Sequence, residues 1–401
     1  MAGVVIVGAG QAGSSCAAKL RALGYTGPID LVGKEPHPPY QRPPLSKKYL
    51  LGEMELERLF LRPESFYAEN DITLHLGQDV TAIDPVAGTI TLADEKLGFE
   101  HLVLTTGSHP RRLPPAMGGD LEGVHVVRDL AHVDDMAPDF SDGAHVLVVG
   151  GGYIGLEAAA VAAGKGLRVT LIEAADRILQ RVASSETADY FRELHEGRGV
   201  EIREGAMLET LLGDGRVSGA RLSDGNEIAV DFAVVGIGIA PATDLAEAAG
   251  LEIENGIRVD EKGRTSAGNV WAAGDCASFP HRGDRIRLES VPNAIDMAEC
   301  VAGNIMGADK TYVPQPWFWS DQFDVKLQIA GLNTGYDRVV TRQTGAGISF
   351  WYYRGDDLVA VDAANDARAY MIGKRLIDAG KSADPEAVAD PDADLRAFLK
   401  A

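Results

Sequence analysis

Two glycine turns of one kind constrain this 401-residue chain more than any other feature. Residues 145–157, HVLVVGGGYIGLE, run from an apolar stretch into Gly150, Gly152 and Gly155 and then into a helix-like segment reaching residue 163. In such a turn the first glycine bends tightly, the second admits a pyrophosphate, and the third lets helix pack on strand. Phosphate then meets unpaired N–H groups and the positive end of the helix dipole. Glu173 follows Gly155 by 18 residues, at the end of the next apolar run, where a carboxylate can bond both ribose hydroxyls of NAD and repel a 2′-phosphate. Residues 4–13, VVIVGAGQAG, repeat the pattern with Gly8, Gly10 and Gly13, and Glu35 stands 22 residues beyond. A lone fingerprint is weak, but two complete units predict two bound dinucleotides and electron transfer between them.

The length allows two or three domains with full cores. A formal charge of −21 argues against nucleic-acid binding while leaving room for a local basic patch. No signal peptide and no membrane span are expected, and the widely spaced Cys16, Cys276 and Cys300 fit a reducing cytoplasm. Each cysteine reads as a small buried hydrophobe, and no metal site is expected.

Strands are expected at 4–7, 29–33 and 101–105, with a small antiparallel sheet from 72–76, 80–83 and 89–92. Four prolines in residues 37–52 predict a rigid loop that presents Arg42, Ser46 and Lys47, with Ser46 capping a short helix over 47–51. Residues 269–275, NVWAAGD, read as a buried strand ending at Asp275 on the ligand side of an open sheet. Further strands are expected at 200–203, 217–222 and 233–237. Three more (326–330, 348–353, 358–361) precede a helix over 366–379, and residues 382–394 read as a loose acidic tail.

These motifs together resemble the glutathione-reductase-type flavoproteins, and within them the FAD-dependent ferredoxin reductases that serve bacterial P450s and ring-hydroxylating dioxygenases. The resemblance runs nearly end to end through VVIVGAGQAG, YQRPPLSK, TTGSHPR, VVGGGYIGLE, GIGIAP, NVWAAGDC, ESVPNA and PWFWSDQ. It implies an α/β protein with two Rossmann-like dinucleotide-binding domains and a C-terminal α+β domain. The FAD domain would be discontinuous (1–112 and 240–315), the NAD domain inserted (113–239), and the last domain (316–401) would cover the flavin. It implies noncovalent FAD, with Glu35 at the AMP half and Arg42, Lys47, Arg111 and Asp275 at phosphates, flavin or ribityl chain. It extends the cofactor contacts to Ala12, Val80, Thr106, Gly107, Val291, Tyr153, Ile154, Arg181 and Gly238. Thr105-Thr106-Gly107 stands where the family usually has Ala-Thr-Gly.

The implied activity is NADH:ferredoxin oxidoreduction: hydride from NADH to FAD, then single electrons to a [2Fe–2S] ferredoxin feeding a P450 or dioxygenase. Lys47 would be the cation near flavin N5, Glu157 its partner, and Trp319 the shield on the exit side. The partner would dock at Lys326 and at Lys374 or Arg375, on a monomer or weak dimer. No Cys lies in residues 37–51, so the thiol chemistry of the disulfide reductases lacks its nucleophile. Two other readings share the scaffold: a rubredoxin or monodehydroascorbate reductase or an oxidase, and an NADH-sensing protein like the apoptosis-inducing-factor branch.

Overall fold

In a computed structural model, which describes residues 3–93, 95–345 and 347–400, contacts group the chain into two units. The first comprises Met1–Arg42, Met54–His109 and Ile239–Pro316. Its central strand, Gly3–Val7, is buried at every residue, as a strand covered on both faces requires. It pairs in parallel with Ile29–Gly33 and with the second half of Glu95–Leu104. That ten-residue strand serves two sheets: its first half closes an antiparallel meander with Thr89–Leu92 and Val80–Asp84, and its second half continues the parallel sheet out to Val270–Ala272. Ile72–Leu76 departs from expectation: it extends the parallel sheet beside Ile29–Gly33. Its alternation marks a half-buried strand and says nothing about the partner's direction.

The second unit comprises Pro43–Glu53, Pro110–Gly238 and Trp317–Ala401. Its parallel sheet runs Val200–Glu204, Arg168–Glu173, His145–Val149, Phe232–Val235, Val124–His125. A three-stranded sheet, Leu208–Asp214, Arg216–Leu222 and Glu227–Ala229, accompanies it. Residues 317–364 form an antiparallel sheet of five strands, where three were expected; Trp317–Gln322 and Arg338–Gln343 are the additional ones. The helix Ala367–Asp378 packs Ala369, Ile372 and Leu376 against Trp351, Tyr353 and Val361. The acidic tail is folded, contrary to expectation. Buried Arg342 donates to the carbonyls of Val388, Asp390, Pro391 and Ala393, and a short helix forms at Pro385–Ala389. Among the described residues, no helix is long and apolar enough to cross a membrane.

Candidate functional site

In the first unit, strand Gly3–Val7 feeds helix Gln11–Ala22 through the glycine turn. Gly8 has φ +116°, and a Cβ there would stand 2.1 Å from the Thr105 carbonyl oxygen. A Cβ on Gly13 would stand 2.0 Å from the Gly8 oxygen, whereas one on Gly10 would meet nothing within 4 Å. Two glycines are thus fixed by the protein's own packing, and the middle one faces space a ligand can use. Thr105 Oγ1 donates to the Gly8 carbonyl at 2.8 Å, so the threonine in place of the family's usual alanine braces the turn.

The same arrangement recurs in the second unit. Gly150 has φ +106° and Gly155 would press a Cβ to 2.0 Å from the Gly150 oxygen, while Gly152 again faces open space. Among the described helices of twelve or more residues, only those starting after Gly10 and Gly152 lack a side-chain N-cap; Ser184, Ser290 and Asp366 cap the others. Both N-termini therefore keep first-turn N–H groups for an anion, and both fit a dinucleotide pyrophosphate.

The two acids are held differently. Glu35 accepts from the Tyr40 hydroxyl and, at 2.6 Å, from Arg42. Arg42, which also stacks on the Tyr40 ring, therefore sits beside the acid assigned to the AMP half. Glu173 accepts the Gly151 N–H at 2.7 Å and the Ala175 N–H at 2.8 Å, joining the end of strand Arg168–Glu173 to the glycine turn. Arg177 donates to the carbonyls of Ile178, Ala183 and Ser184.

The other residues named from the sequence have these surroundings within each unit. Asp275 receives the Ser108 hydroxyl at 3.0 Å, and Arg287 donates to its carbonyl at 3.1 Å. A Cβ on the preceding Gly274 would lie 3.1 Å from Ala12 Cβ, which brings this strand end against the start of the first fingerprint helix. Thr106 donates to the Ala242 carbonyl, and Gly107 has φ +72°. Val291 opens helix Val291–Ile305. The Val80 side chain lies in the hydrophobic core, which leaves only its main chain to meet a cofactor. In the second unit, Arg111 and Arg181 both reach the φ +97° turn at Gly238. Ile154 is exposed, and the Tyr153 ring meets Phe318 edge-on while its hydroxyl is buried without a hydrogen-bond partner.

Lys47 and Glu157, 110 residues apart, come together in the second unit, Nζ to Oε2 at 2.9 Å. The loop that carries Lys47 is a π-turn, Leu45–Tyr49, broken at Lys47 itself (φ −128°, ψ −110°). Ser46 caps nothing; it is buried, and its hydroxyl lies 3.4 Å from Glu157. Tertiary pairing with a buried carboxylate has taken the group that a local capping pattern would have used. Glu157 is 5% exposed. Burial pushes its carboxyl above the ordinary carboxylate range, while Lys47 and the Ser320 hydroxyl pull it back. Ser320, Gln322 and His195 complete the surroundings and were not singled out from the sequence. For Ser320 and Gln322 the signal lay inside PWFWSDQ, where positions 318, 320 and 322 share one face of a strand and two of them are polar; His195, on helix Ser185–Glu196, carried none. Trp319, on the other face, is half-buried with its ring 5.8 Å from that of Trp317.

All three thiols are shifted upward by burial, Cys16 to about 12. Cys16 and Cys276 are fully buried.

Comparison with known proteins places this geometry. Residues 2–298 match the family model described as pyridine nucleotide-disulphide oxidoreductase, and residues 317–399 match the one described as reductase C-terminal. The chain is 45% identical to a ferredoxin–NAD(P)+ reductase of Sphingomonas sp., over 99% of this chain and 97% of that one. Among solved structures, it is 36% identical to a chain of the covalent putidaredoxin reductase–putidaredoxin complex, with a TM-score of 0.96, covering 100% of this chain and 98% of that one. The ferredoxin reductase for the CYP199A2 system from Rhodopseudomonas palustris is similar at 39% identity and a TM-score of 0.96, covering 99% of each chain.

Proposed function

The chain belongs to the pyridine nucleotide-disulphide oxidoreductase family, and from that premise we propose that it is an FAD-containing NADH:ferredoxin reductase. The observation that favours this activity over disulfide reduction within the family is the placement of its thiols. A disulfide reductase needs a thiolate that can attack, and here residues 37–51, the loop that carries Lys47, hold no cysteine, Cys16 and Cys276 are fully buried, and burial raises all three thiols. Electrons then leave by a route that makes no bond to a cysteine sulfur of the chain, and the similarity to ferredoxin reductases points to a ferredoxin as the acceptor.

FAD, when bound, accepts a hydride as an electron pair and can return the electrons singly. The chain's residues bind and orient. The first glycine turn, Glu35 with Arg42, and Asp275 with Ser108 hold the flavin nucleotide; the second turn and Glu173 hold NADH. Lys47 is the cation that answers negative charge gained by the ring, and Glu157 fixes its position and moderates its charge.

The acceptor is a ferredoxin, by our reading a [2Fe–2S] one that feeds a P450 or a ring-hydroxylating oxygenase. The reductase works in the cytoplasm as a monomer or weak dimer. Docking is assigned to Lys326, which is exposed on strand Val325–Gly331 and whose main chain is fixed by Asn365. Arg375 is exposed as well, whereas Lys374 is paired with Asp378 at 2.6 Å and offers a partner less charge. Trp319 is assigned as the shield on the exit side of the flavin.

The deciding experiment is steady-state turnover with NADH over a panel of acceptors: [2Fe–2S] ferredoxins, rubredoxin, monodehydroascorbate, oxygen and glutathione disulfide, with cytochrome c as final reporter for the protein acceptors. Ferredoxin should give the highest kcat/KM. Faster turnover of the disulfide or of oxygen would overturn the assignment.

A further inference from the structure

We propose that Ser320, Gln322 and His195 form a one-directional hydrogen-bond chain that holds Glu157 as the anion facing Lys47. The proposal rests on the reading of Lys47 and Glu157 as the flavin-facing pair, and it names the residues that set that pair's net charge.

The links are short and lie within one unit. Ser320 Oγ stands 2.8 Å from Glu157 Oε1, Gln322 Nε2 3.1 Å from Ser320 Oγ, and His195 Nε2 2.8 Å from Gln322 Oε1. All three side chains are fully buried. Their direction follows from the carboxylate end. An ionised Glu157 only accepts, so the Ser320 hydroxyl proton points to it. The Ser320 oxygen must then accept from Gln322, which turns the amide nitrogen toward it and the amide oxygen toward His195. His195 must carry its proton on Nε2. Its Nδ1 is buried with no partner, as a neutral ring of that tautomer allows, and burial lowers the imidazole to about 4. Every proton in the chain therefore leans toward Glu157, and aligned bonds of this kind reinforce one another.

The consequence is electrostatic. Two charged groups act on Glu157: Lys47 favours the anion, and Asp321 opposes it. With burial also opposing it, the anion rests on Lys47 and on the hydrogen bonds the carboxylate accepts, and the shortest hydroxyl bond, from Ser320 Oγ at 2.8 Å, is the one this chain supplies and orients. A protonated Glu157 would leave the Lys47 charge uncompensated and raise the potential of bound FAD. Ser320, Gln322 and His195 are thus positioning residues that act through Glu157.

The test uses the holoenzyme with its Glu side-chain carboxyls labelled with 13C, and follows the Glu157 titration by NMR and the FAD midpoint potential against pH. Ser320→Ala should raise the Glu157 titration midpoint by about one pH unit, a tenfold gain in proton affinity. Gln322→Met should move it the same way by less, and Ser320→Thr, which keeps the hydroxyl, should return it toward wild type. The break in the potential-against-pH curve should move with it. In Gln322→Met the 15N signals of His195 should lose the fixed Nε2–H tautomer. If Ser320→Ala does not fold, Gln322→Met carries both readouts. An unmoved Glu157 titration in either folded variant overturns the proposal. A moved titration with an unmoved potential, joined to wild-type flavin reduction in Lys47→Ala, supports the chain and overturns the flavin reading of Lys47.

Discussion

The Glu173 carboxylate receives the Gly151 N–H at 2.7 Å, so the acid at the end of one strand holds the glycine turn that follows its neighbour. Its other oxygen takes the Ala175 N–H. A side chain anchored at both oxygens presents its charge at a fixed place, which is what discrimination against a phosphate needs.

NADH should therefore be preferred over NADPH. Of the two arginines that follow Glu173 and could reverse this, Arg177 spends its guanidinium on three backbone carbonyls and Arg181 reaches the turn at Gly238. Glu173→Ala should narrow the ratio of kcat/KM values by about tenfold or more, roughly 1.4 kcal/mol. It should also weaken NADH somewhat, since the turn loses its brace. Equal kcat/KM for both nucleotides in the wild type would remove the argument.

Lys47→Ala should slow flavin reduction more than it weakens NADH binding. The ammonium is 2.9 Å from Glu157 and its side chain is 16% exposed, so water screens it little. A cation placed for developing charge lowers the barrier more than the ground state, and a loss of about tenfold to a hundredfold in the limiting rate is expected. Stopped-flow reduction at saturating NADH measures it. The double variant Lys47→Ala/Glu157→Gln should recover part of the loss, because removing only the cation leaves a buried carboxylate unpaired.

The two glycine turns and their acids could be read from the chain because each is a local pattern with one geometric outcome. Partner choice over long range could not. Ser46 carries a good local capping signal, yet its hydroxyl turns to Glu157, 111 residues away. His195 and Gln322 meet across 127 residues, and nothing in either neighbourhood announces the other. Residues 382–394 read as a loose acidic tail by composition, but the carbonyls of Val388, Asp390, Pro391 and Ala393 find a single buried guanidinium, that of Arg342. Arg42 is named from its place in the Pro-rich loop, whereas its ion pair with Glu35 depends on where that loop folds back.

Gly10→Ala and Gly13→Ala should separate ligand exclusion from misfolding. Gly10 has φ −96° and a Cβ there meets nothing within 4 Å, so the apoprotein should melt as wild type while FAD retention falls by tenfold or more. Gly13→Ala would drive a Cβ to 2.0 Å from the Gly8 oxygen and should lower the stability of the apoprotein itself. Flavin content after desalting, set beside the melting temperature, tells the two apart. Equal melting-temperature losses in both variants would contradict the assignment of the open space at Gly10 to a ligand.

Lys326→Glu should raise the KM for ferredoxin several-fold, flatten its salt dependence and leave FAD reduction by NADH unchanged. The chain carries a formal charge of −21, so attraction to an acidic partner must come from a local patch. Ionic-strength series of both half-reactions check this, and unchanged values in both would move the docking face elsewhere.

Asp362 makes the stability of the second unit depend on pH in a direction opposite to most carboxylates. It is fully buried, accepts from Tyr352 and from Thr187 at 3.0 Å, and burial still raises it from 3.8 to about 6. A group whose folded pKa lies above its unfolded one binds its proton more tightly when folded. Its contribution is therefore fully present below pH 4 and is lost as pH rises through about 6. The gap corresponds to about 3 kcal/mol between the two limits. Asp362→Asn removes the ionisation and keeps one oxygen for Tyr352 or Thr187. The amide adds donors that the carboxylate lacks and so gives the variant a constant offset, which makes the slope the quantity to read. Measured by chemical denaturation from pH 5 to 8, the stability of Asp362→Asn minus that of wild type should rise with pH and level off above about 7. A difference that stays flat would mean Asp362 holds the same charge in the folded and unfolded chain, and its buried hydroxyl partners would then have to supply all of the missing solvation.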